Sequence, residues 1–358
     1  MKRFADSHIH MSSFDFDLPK KLLAQIKANG VTDVTIHALS YRAIVYNIMV
    51  LYWKQFCKDM TVSAFGMPNF FDGYYKDVPY DEQAKALLDM GFDGIKLMFC
   101  GSVTKRLGYG MNDPRLDKMF NYLEENNVPI TVHTPDANEY WDPAKATPYN
   151  IAHDRAYDET YPTKEQLYEY ALARLDKNPK LSITFAHFFF AHYDYDFAVR
   201  IMEEYPNVRF DLTPGSKIFV KFAENPQFWH DFVEKYADRI LFGTDAGPLK
   251  GEENNFLYKT VTTALTHDYT DVHVPSHGGL DIKGINLSED ALNKIMFENH
   301  NKLIGTPKKV DMEKLTEYAK RMYKDLCQKT LTSDIMFGDN DGAESKKWLE
   351  EFLKIMNK

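Results

Sequence analysis

Short apolar runs alternate with amphipathic stretches along most of this chain. The apolar runs have lengths typical of buried strands. They span residues 3–10, 31–39, 61–67, 94–100, 129–134, 181–188, 207–213 and 239–245. The stretches between them have helical spacing, and several begin at Pro, Asp or Thr and end at Gly or Asn, as helices do. This alternation predicts parallel strands joined by right-handed crossovers.

Eight strand–helix units within about 300 residues favour a closed (β/α)8 barrel, or TIM barrel, over an open α/β sheet. The first run is not followed by a glycine-rich dinucleotide-binding motif, which weakens the open alternative. Two connections, 135–162 and 246–287, are long enough to cover or line a site. Beyond residue 305 the pattern predicts two helices, at 311–328 and 343–357. We therefore expect a barrel domain over 1–305 and a helical extension over 306–358 that packs on it.

Composition and charge narrow the classes of function. The chain has 358 residues, a formal net charge of −9 and 44% hydrophobic residues, so we expect a packed core and no nucleic-acid partner. The apolar runs are too short for a membrane span, and the N-terminus lacks the apolar centre of a signal peptide. Three widely spaced cysteines fit a reducing compartment. A cytoplasmic protein with a small-molecule substrate is predicted, and the helical tail makes a homodimer one expectation.

Polar residues stand at the ends of several predicted strands. In the opening "DSHIH", side-chain alternation places His8 and His10 on one face of the first strand. A pair of hydrogen-bonded histidines would explain these two residues alone. Further residues at or near strand ends are Lys96, His133, His187 and Asp245. Because the carboxyl ends of barrel strands meet at one rim, this convergence predicts a divalent metal site, and imidazole with carboxylate suits zinc.

The same motifs resemble the amidohydrolase superfamily. They are "HIH" on strand one, "VHT" on strand five, "AHF" on strand six and "GTDAG" on strand eight. The segments "GIKLM" and "FENHNKLIG" resemble the corresponding segments of the amidohydrolase-related group, which includes aminocarboxymuconate-semialdehyde decarboxylase-like enzymes. The resemblance covers about residues 1–305 and leaves the tail and the two long connections outside it.

The resemblance implies roles for individual residues. His8, His10 and His133 would be metal ligands, and Asp245 a ligand or a carboxylate that touches both metal and water. His187 would be a ligand of a second metal or a catalytic histidine. Such an ion lowers the pKa of a coordinated water to about 7, and Asp245 would then carry the proton to the leaving group. The implied cofactor is one divalent metal ion, zinc or alternatively manganese.

Lys96 decides between one metal and two. In the two-metal branch of the superfamily the strand-four lysine is carboxylated and bridges both ions. The alternative is an ordinary ammonium that lies below the rim and either pairs with a carboxylate such as Asp6 or orients a ligand. We expect the ordinary ammonium, and therefore one tightly bound metal per chain.

Other polar residues have weaker functional interpretations. Three are candidates for substrate binding, namely Arg42, Trp141 and His192. His37 is expected to support the site rather than to bind metal. Three histidines in the connection after strand eight could form a separate metal site, although a surface cluster is the simpler interpretation: His267, His273 and His277.

Taken together, these features predict a metal-dependent hydrolase that acts on a small polar ester, lactone or amide. A non-oxidative decarboxylase of an aromatic or unsaturated acid on the same metal site is the first alternative. An arginine at the rim would favour the decarboxylase, and Arg42 is a candidate for that arginine. A catalytically silent barrel that binds a ligand is the second alternative.

Overall fold

The computed structural model describes residues 3–39, 45–70, 78–214, 218–328 and 342–356. Within these residues eight parallel strands pair in sequence order to form one sheet. The strands are β1 Ala5–Ile9, β2 Asp33–His37, β3 Thr61–Gly66, β4 Gly94–Met98, β5 Ile130–His133, β6 Ile183–Phe185, β7 Val208–Asp211 and β8 Ile240–Leu241. The predicted TIM barrel is confirmed.

The described helices cover the outside of the sheet and follow its strands. They are α1 Asp17–Ala28, α2 Tyr46–Phe56, α3 Tyr80–Met90, α4 Gly101–Leu107, α5 Asp117–Glu125, α6 Pro148–Ala152, α7 Lys164–Lys177, α8 Tyr195–Glu204, α9 Ile218–Glu224, α10 Pro226–Lys235, α11 Glu253–Thr266, α12 Glu289–Asn293, α13 Asn299–Ile304, α14 Met312–Gln328 and α15 Ala343–Met356. Local sequence sets several of the helix starts. At α7, for example, Thr163 and Gln166 cap each other's backbone N–H groups.

The barrel closes between its first and last strands. The backbone N–H of Ser7 donates to the carbonyl of Phe242 at 2.9 Å, and that of Asp245 donates to the carbonyl of His8 at 2.9 Å. A further parallel bridge joins Ile9 to Ala246. Closure therefore brings the end of β1 beside the residues that follow β8, which are more than 230 positions away in the sequence.

Two predicted strands are shorter than the apolar pattern suggested. The run 181–188 forms a strand only to Phe185, and the run 239–245 only over Ile240–Leu241. Residues 187–190 instead have φ between 50° and 58°, the left-handed region. Asp245 also has a positive φ of 57°. Apolar composition could not reveal the change at 187–190, because these residues remain buried after the strand has ended.

The connection after β8 is more structured than expected. Helix α11 buries Leu257, Val261, Ala264 and Leu265, which share one face. An antiparallel hairpin follows, formed by β9 Asp271–Val274 and β10 Leu280–Lys283. The long connection predicted over 246–287 is therefore present, and it contains a helix and a hairpin. The connection after β5 contains α6 and two short 3-10 helices, Asn138–Trp141 and Pro143–Lys145.

The tail forms the predicted helices, α14 and α15. Helix α14 buries a stripe of Leu315, Ala319, Met322 and Leu326. From α15, the ring of Trp348 stacks on Phe16 at a centroid distance of 5.2 Å, so the tail contacts the segment just before α1. Among the described residues, no helix is long and apolar enough to cross a membrane.

Candidate metal centre

Three predicted ligands meet at the closure of the barrel. His8 lies in β1 and His10 directly after it, while Asp245 follows β8. One ligand atom from each lies within 4.8 Å of the others. We call these three residues the donor set. Among the described residues, it is the one group of this kind that the fold assembles.

Each histidine of the donor set is oriented through its Nδ1 atom. His8 Nδ1 donates to Asp211 Oδ2 at 2.8 Å, and both side chains are buried. His10 Nδ1 donates to the backbone carbonyl of His37 at 2.9 Å. With Nδ1 carrying the hydrogen, each neutral ring keeps its lone pair on Nε2. Carboxylate or carbonyl support behind a histidine is the usual arrangement of metal ligands in proteins.

The donor set fits a cation. His10 Nε2 lies 3.0 Å from Asp245 Oδ1, and His8 Nε2 lies 4.0 Å from the same oxygen. A neutral His10 that donates from Nδ1 can only turn a lone pair towards this carboxylate. Burial lowers the pKa of His10, although Asp245 opposes the shift, so a second proton on the ring is disfavoured. A divalent ion held by two imidazole nitrogens and a carboxylate would satisfy these lone pairs together.

Lys250 keeps Asp245 ionised, and the sequence offered no signal for it. Its Nζ donates to Asp245 Oδ2 at 2.9 Å and also to the Asp245 backbone carbonyl. Burial alone would raise the pKa of the Asp245 carboxyl, but the ammonium of Lys250 opposes this shift, and the pKa lies well below its usual range. Because Lys250 occupies Oδ2, Oδ1 is left to face the histidines.

Lys96 reaches the donor set from β4. Its Nζ lies 3.4 Å from His8 Nε2. Burial lowers the pKa of Lys96 to about 8, although Asp211 and Asp245 oppose the shift. In β4, Lys96 pairs with Thr131, two residues before His133, and from this position its Nζ contacts the imidazole of His8.

The expected pairing of Lys96 with Asp6 is wrong, whereas the contact with His8 agrees with the other expectation, that Lys96 orients a ligand. Asp6 Oδ2 accepts hydrogen bonds from Thr244 Oγ1 at 2.5 Å and from Tyr258 Oη at 2.6 Å. Barrel closure brings Thr244 next to β1, which supplies Asp6 with neutral donors. The charge of Lys96 is balanced by Asp211 and Asp245 instead.

His133 and His187 form a second layer across the site. Their ring centroids are 4.6 Å apart, and that of His187 is 6.0 Å from His8. His133 lies outside the compact donor set. Its Nε2 lies 3.2 Å from Asp136 Oδ1, which turns that nitrogen towards the carboxylate.

His187 is held neutral. Burial, followed by the neighbouring His133, lowers the pKa of His187 to about 3. Its Nδ1 lies 3.0 Å from Thr213 Oγ1, and its backbone N–H donates to Asp211 Oδ1 at 2.9 Å. The same Asp211 thus orients both His8 and His187.

A left-handed turn carries His187. Four consecutive residues that are not glycine, 187–190, adopt left-handed φ and ψ, which costs free energy at each position. The single hydroxyl hydrogen of Tyr168 is shared between the carbonyls of Phe189 and Phe190, each 3.1 Å from its oxygen. The rings of Phe188 and Phe189 are fully buried. Packing and Tyr168 therefore stabilise a conformation that local sequence disfavours.

The substrate-binding candidates lie at different depths. Trp141 Nε1 donates to the carbonyl of Pro162 at 3.0 Å, and its ring packs edge-on against Tyr157. Tyr157 in turn donates to Asp136 at 2.9 Å. His192 is buried beside Tyr193, with ring centroids 4.1 Å apart. Arg42 lies outside the described residues.

The remaining histidines behave as supporting or surface groups. His37 Nε2 donates to the carbonyl of Ser7 at 2.9 Å, and its ring centroid is 4.4 Å from that of His8, as expected of a supporting residue. Separate partners occupy the histidines after β8: Thr270 for His267, Asp281 for His273 and Ser276 for His277.

Sequence reasoning missed Asp211, Asp136 and Lys250. A signal for Asp211 was available, since it ends "VRFD" on β7 just as the predicted ligands end other strands. Asp136 follows β5 by three residues, and its partners come from α4 and the 135–162 connection. Such pairings depend on the tertiary structure.

Comparison with known proteins identifies relatives of the fold. The sequence profile of a protein family described as Amidohydrolase matches residues 5–305. An uncharacterized TIM-barrel protein from Bordetella bronchiseptica is 14% identical, covering 85% of this chain and 99% of its own, with a TM-score of 0.54. A 2,6-dihydroxybenzoate decarboxylase in complex with 2,6-dihydroxybenzoate is 15% identical, with the same coverages and a TM-score of 0.51.

A zinc-bound amidohydrolase from Burkholderia multivorans is 10% identical over 85% of this chain and 99% of its own, with a TM-score of 0.50. No curated protein matches the chain. At these identities the solved structures show a shared fold and do not assign a reaction.

Proposed function

Because this chain belongs to the amidohydrolase family, we propose that it is a metal-dependent hydrolase of small polar esters, lactones or amides. The observation that carries the proposal is the donor set, in which two imidazole nitrogens and one carboxylate oxygen lie within 4.8 Å of one another. Hydrogen bonds behind the donor set also support the proposal. Asp211 binds His8 Nδ1, the carbonyl of His37 binds His10 Nδ1, and Lys250 binds Asp245 Oδ2, which leaves the other atom of each group facing the centre.

His8, His10 and Asp245 would hold the metal. The resemblance also implies His133 as a ligand, but it lies outside the donor set, with Nε2 3.2 Å from Asp136 Oδ1. When bound, a divalent ion supplies Lewis acidity at this position, which polarises a carbonyl group or makes water a better nucleophile. Zinc suits nitrogen and carboxylate ligands best, and the amidohydrolase from Burkholderia multivorans holds zinc on the same fold. Manganese is the alternative ion.

The residues of the chain have distinct tasks in this proposal. Asp245 is ionised and accepts the proton of the attacking water, which it then delivers to the leaving group. His187 is neutral, because its pKa is lowered to about 3 by burial and by His133. It therefore acts as a hydrogen-bonding group towards substrate and not as a cation. Asp211 and Lys250 keep these groups in place.

One observation favours a second candidate, a decarboxylase on the same centre. Lys96 places a buried cation 3.4 Å from His8 Nε2, where it could bind the carboxylate that a decarboxylase releases. The hydrolase has no such need of a cation at this depth. The two candidates differ in product, since only the decarboxylase releases CO2.

Metal content tests the shared basis of both candidates. Purified protein dialysed against zinc or manganese is expected to bind one tight equivalent per chain, measured by inductively coupled plasma mass spectrometry. The double variant His8→Ala, His10→Ala should bind far less, because a site with so few ligands has little redundancy. The matched control is His273→Ala, His277→Ala, which removes two exposed histidines and should keep the metal. Equal metal in wild type and the His8, His10 variant would contradict the proposal.

Substrate profiling separates the reactions. Esters, lactones and amides are assayed for hydrolysis, and aromatic or unsaturated acids for CO2 release. Metal binding without either reaction would favour the silent barrel. A second tight equivalent that is lost in Lys96→Met would replace the single-metal proposal by the two-metal one.

A further inference from the structure

Lys164 lies on the same side of the barrel as the donor set. It is the first residue of α7, which lies between β5 and β6. Helices in this fold run back from the carboxyl ends of the strands, so the start of α7 lies at the rim that carries the candidate site. Lys164 is partly buried there.

Aromatic rings surround the ammonium of Lys164. Its Nζ lies 4.4 Å from the ring centroid of Tyr193, 5.6 Å from Tyr168 and 5.8 Å from Phe190. We call these three rings the aromatic enclosure. Ring faces attract a cation but accept no strong hydrogen bonds from it. The enclosure therefore removes water from the ammonium without replacing its hydrogen-bond acceptors.

The ammonium has few acceptors. Among the described residues, it donates to Asn138 Oδ1 and has no carboxylate oxygen within 4.0 Å. Three acidic groups lie nearby. Glu139 accepts from Tyr193, and Asp136 accepts from Gly101 and Tyr157, whereas Glu165 is the exposed next residue of α7. A lysine has three N–H donors, so an anion that enters the enclosure would meet donors that the described part of the protein leaves open.

The charge state is consistent with this shortage. Burial lowers the pKa of Lys164 to about 7, although Asp136, Glu139 and Glu165 oppose the shift. An anion next to the ammonium would favour the protonated form and complete the ion pair.

Phe190 connects the aromatic enclosure with the candidate site. Its ring centroid lies 5.8 Å from Lys164 Nζ, 5.4 Å from the ring of His187 and 5.8 Å from the ring of His133. The ammonium is thus separated from the two histidines by a single ring.

We propose that Lys164 binds a carboxylate at the end of the substrate that is remote from the reacting bond. The substrate class of the proposed hydrolase is then an ester, lactone or amide that also carries a free carboxylate. This inference rests on the proposed function for the position of the reacting bond. The binding of an anion at Lys164 is testable by itself.

The probes are carboxylic acids of known length. Isothermal titration measures the binding of α,ω-dicarboxylates from glutarate to suberate, and of the monocarboxylates with the same number of carbons, to zinc-loaded and metal-free protein. A charge-assisted contact predicts that the best dicarboxylate binds the zinc-loaded wild type at least about tenfold more tightly than its monocarboxylate. Lys164→Met should abolish that preference, and Lys164→Arg should retain part of it.

Lys105 offers a matched control. Its Nζ lies 3.6 Å from the ring of Tyr161, but its side chain is exposed. Lys105→Met should therefore leave the preference unchanged. Equal weakening of both acid classes in Lys164→Met would show that Lys164 only supports the aromatic enclosure, and would overturn the inference. An unchanged preference in that variant would overturn it as well.

The metal-free arm keeps the two proposals apart. A protein that binds no zinc contradicts the proposed function. If dicarboxylates then still bind more weakly to Lys164→Met than to wild type, the anion contact at Lys164 is supported. If they bind equally, the contact is refuted.

Discussion

At the scale of single residues, the candidate site depends on hydrogen bonds that lie behind its ligands. Asp211 accepts from His8 Nδ1 at 2.8 Å and from the backbone N–H of His187 at 2.9 Å. One buried carboxylate therefore sets the tautomer of a ligand and the position of a second histidine. Its contribution to metal binding should be large although it does not face the donor set.

Asp211→Asn is predicted to weaken zinc binding by about 10- to 100-fold without unfolding the protein. The amide can accept from the backbone of His187, but its NH2 group then faces His8 Nδ1. This favours the tautomer with hydrogen on Nε2, which cannot bind metal. The dissociation constant is measured by competition with a zinc chelator, and the fold by circular dichroism.

The control for this experiment is Asp33→Asn. Asp33 is an equally buried strand carboxylate that pairs with Arg3, away from the donor set. Its loss should leave zinc affinity close to that of wild type. If Asp211→Asn binds zinc as tightly as Asp33→Asn does, the role assigned to Asp211 is wrong.

At the scale of elements, the segment after β6 determines where His187 stands. Residues 187–190 are left-handed, and a strained turn persists only where its surroundings stabilise it. Phe185 stacks on Phe189 at 3.9 Å, and Phe188 packs edge-on against Phe222 and Trp229. The hydroxyl of Tyr168 is the polar part of this support.

Tyr168→Phe is expected to lower the free energy of unfolding by about 1–2 kcal/mol, because two buried carbonyls lose their donor while the ring still packs. Urea denaturation measures this change. Hydrogen exchange at residues 187–190 should accelerate, since the turn loses its restraint.

Tyr205→Phe is the matched control. It removes a hydroxyl that donates to Asp176 at 2.9 Å in an exposed position, and it should change stability by less than about 0.5 kcal/mol. The same loss of stability in both variants would contradict a special role for the hydroxyl of Tyr168.

At the scale of the whole molecule, buried histidines join distant parts of the barrel and make its stability depend on pH. His300 in α13 places Nε2 2.8 Å from Thr35 Oγ1 in β2, and Thr35 in turn contacts Ser63 in β3 at 2.7 Å. Burial lowers the pKa of His300 to about 4. Among the described residues, its Nδ1 has no hydrogen-bond partner, so a second proton would be buried without an acceptor.

Stability is therefore predicted to fall as the pH decreases from about 6.5 to about 4. In that window the unfolded chain binds a proton at His300 and the folded chain does not, so protons favour unfolding. A shift from the usual value of 6.5 to about 4 corresponds to about 3 kcal/mol. His300→Gln should lose less stability than wild type over this range, measured by urea denaturation at each pH.

His273→Gln provides the comparison, because it removes an exposed histidine and should follow the wild-type pH profile. A His300→Gln protein with the same slope as wild type would show that other groups account for the loss of stability in acid.

The sequence by itself determined the fold and predicted the residues of the candidate site. Periodicity encodes strands and helices locally, and eight alternating units leave few arrangements other than a closed barrel. His8, His10 and Asp245 were found because they end the first and last strands, which must be neighbours once the barrel closes. Helix α14 was also predicted from the sequence, because its apolar residues repeat with helical spacing.

Only the tertiary structure decided the chemistry around those ligands. Asp211 accepts a hydrogen bond from His8, which lies 203 positions away in the sequence. Lys250 donates to Asp245. Thr244 donates to Asp6, the carboxylate that the sequence analysis paired with Lys96. The left-handed turn at His187 contains no glycine that would have indicated it. These features depend on which side chains meet after closure and on how burial shifts their charges, and local patterns carry no information about either.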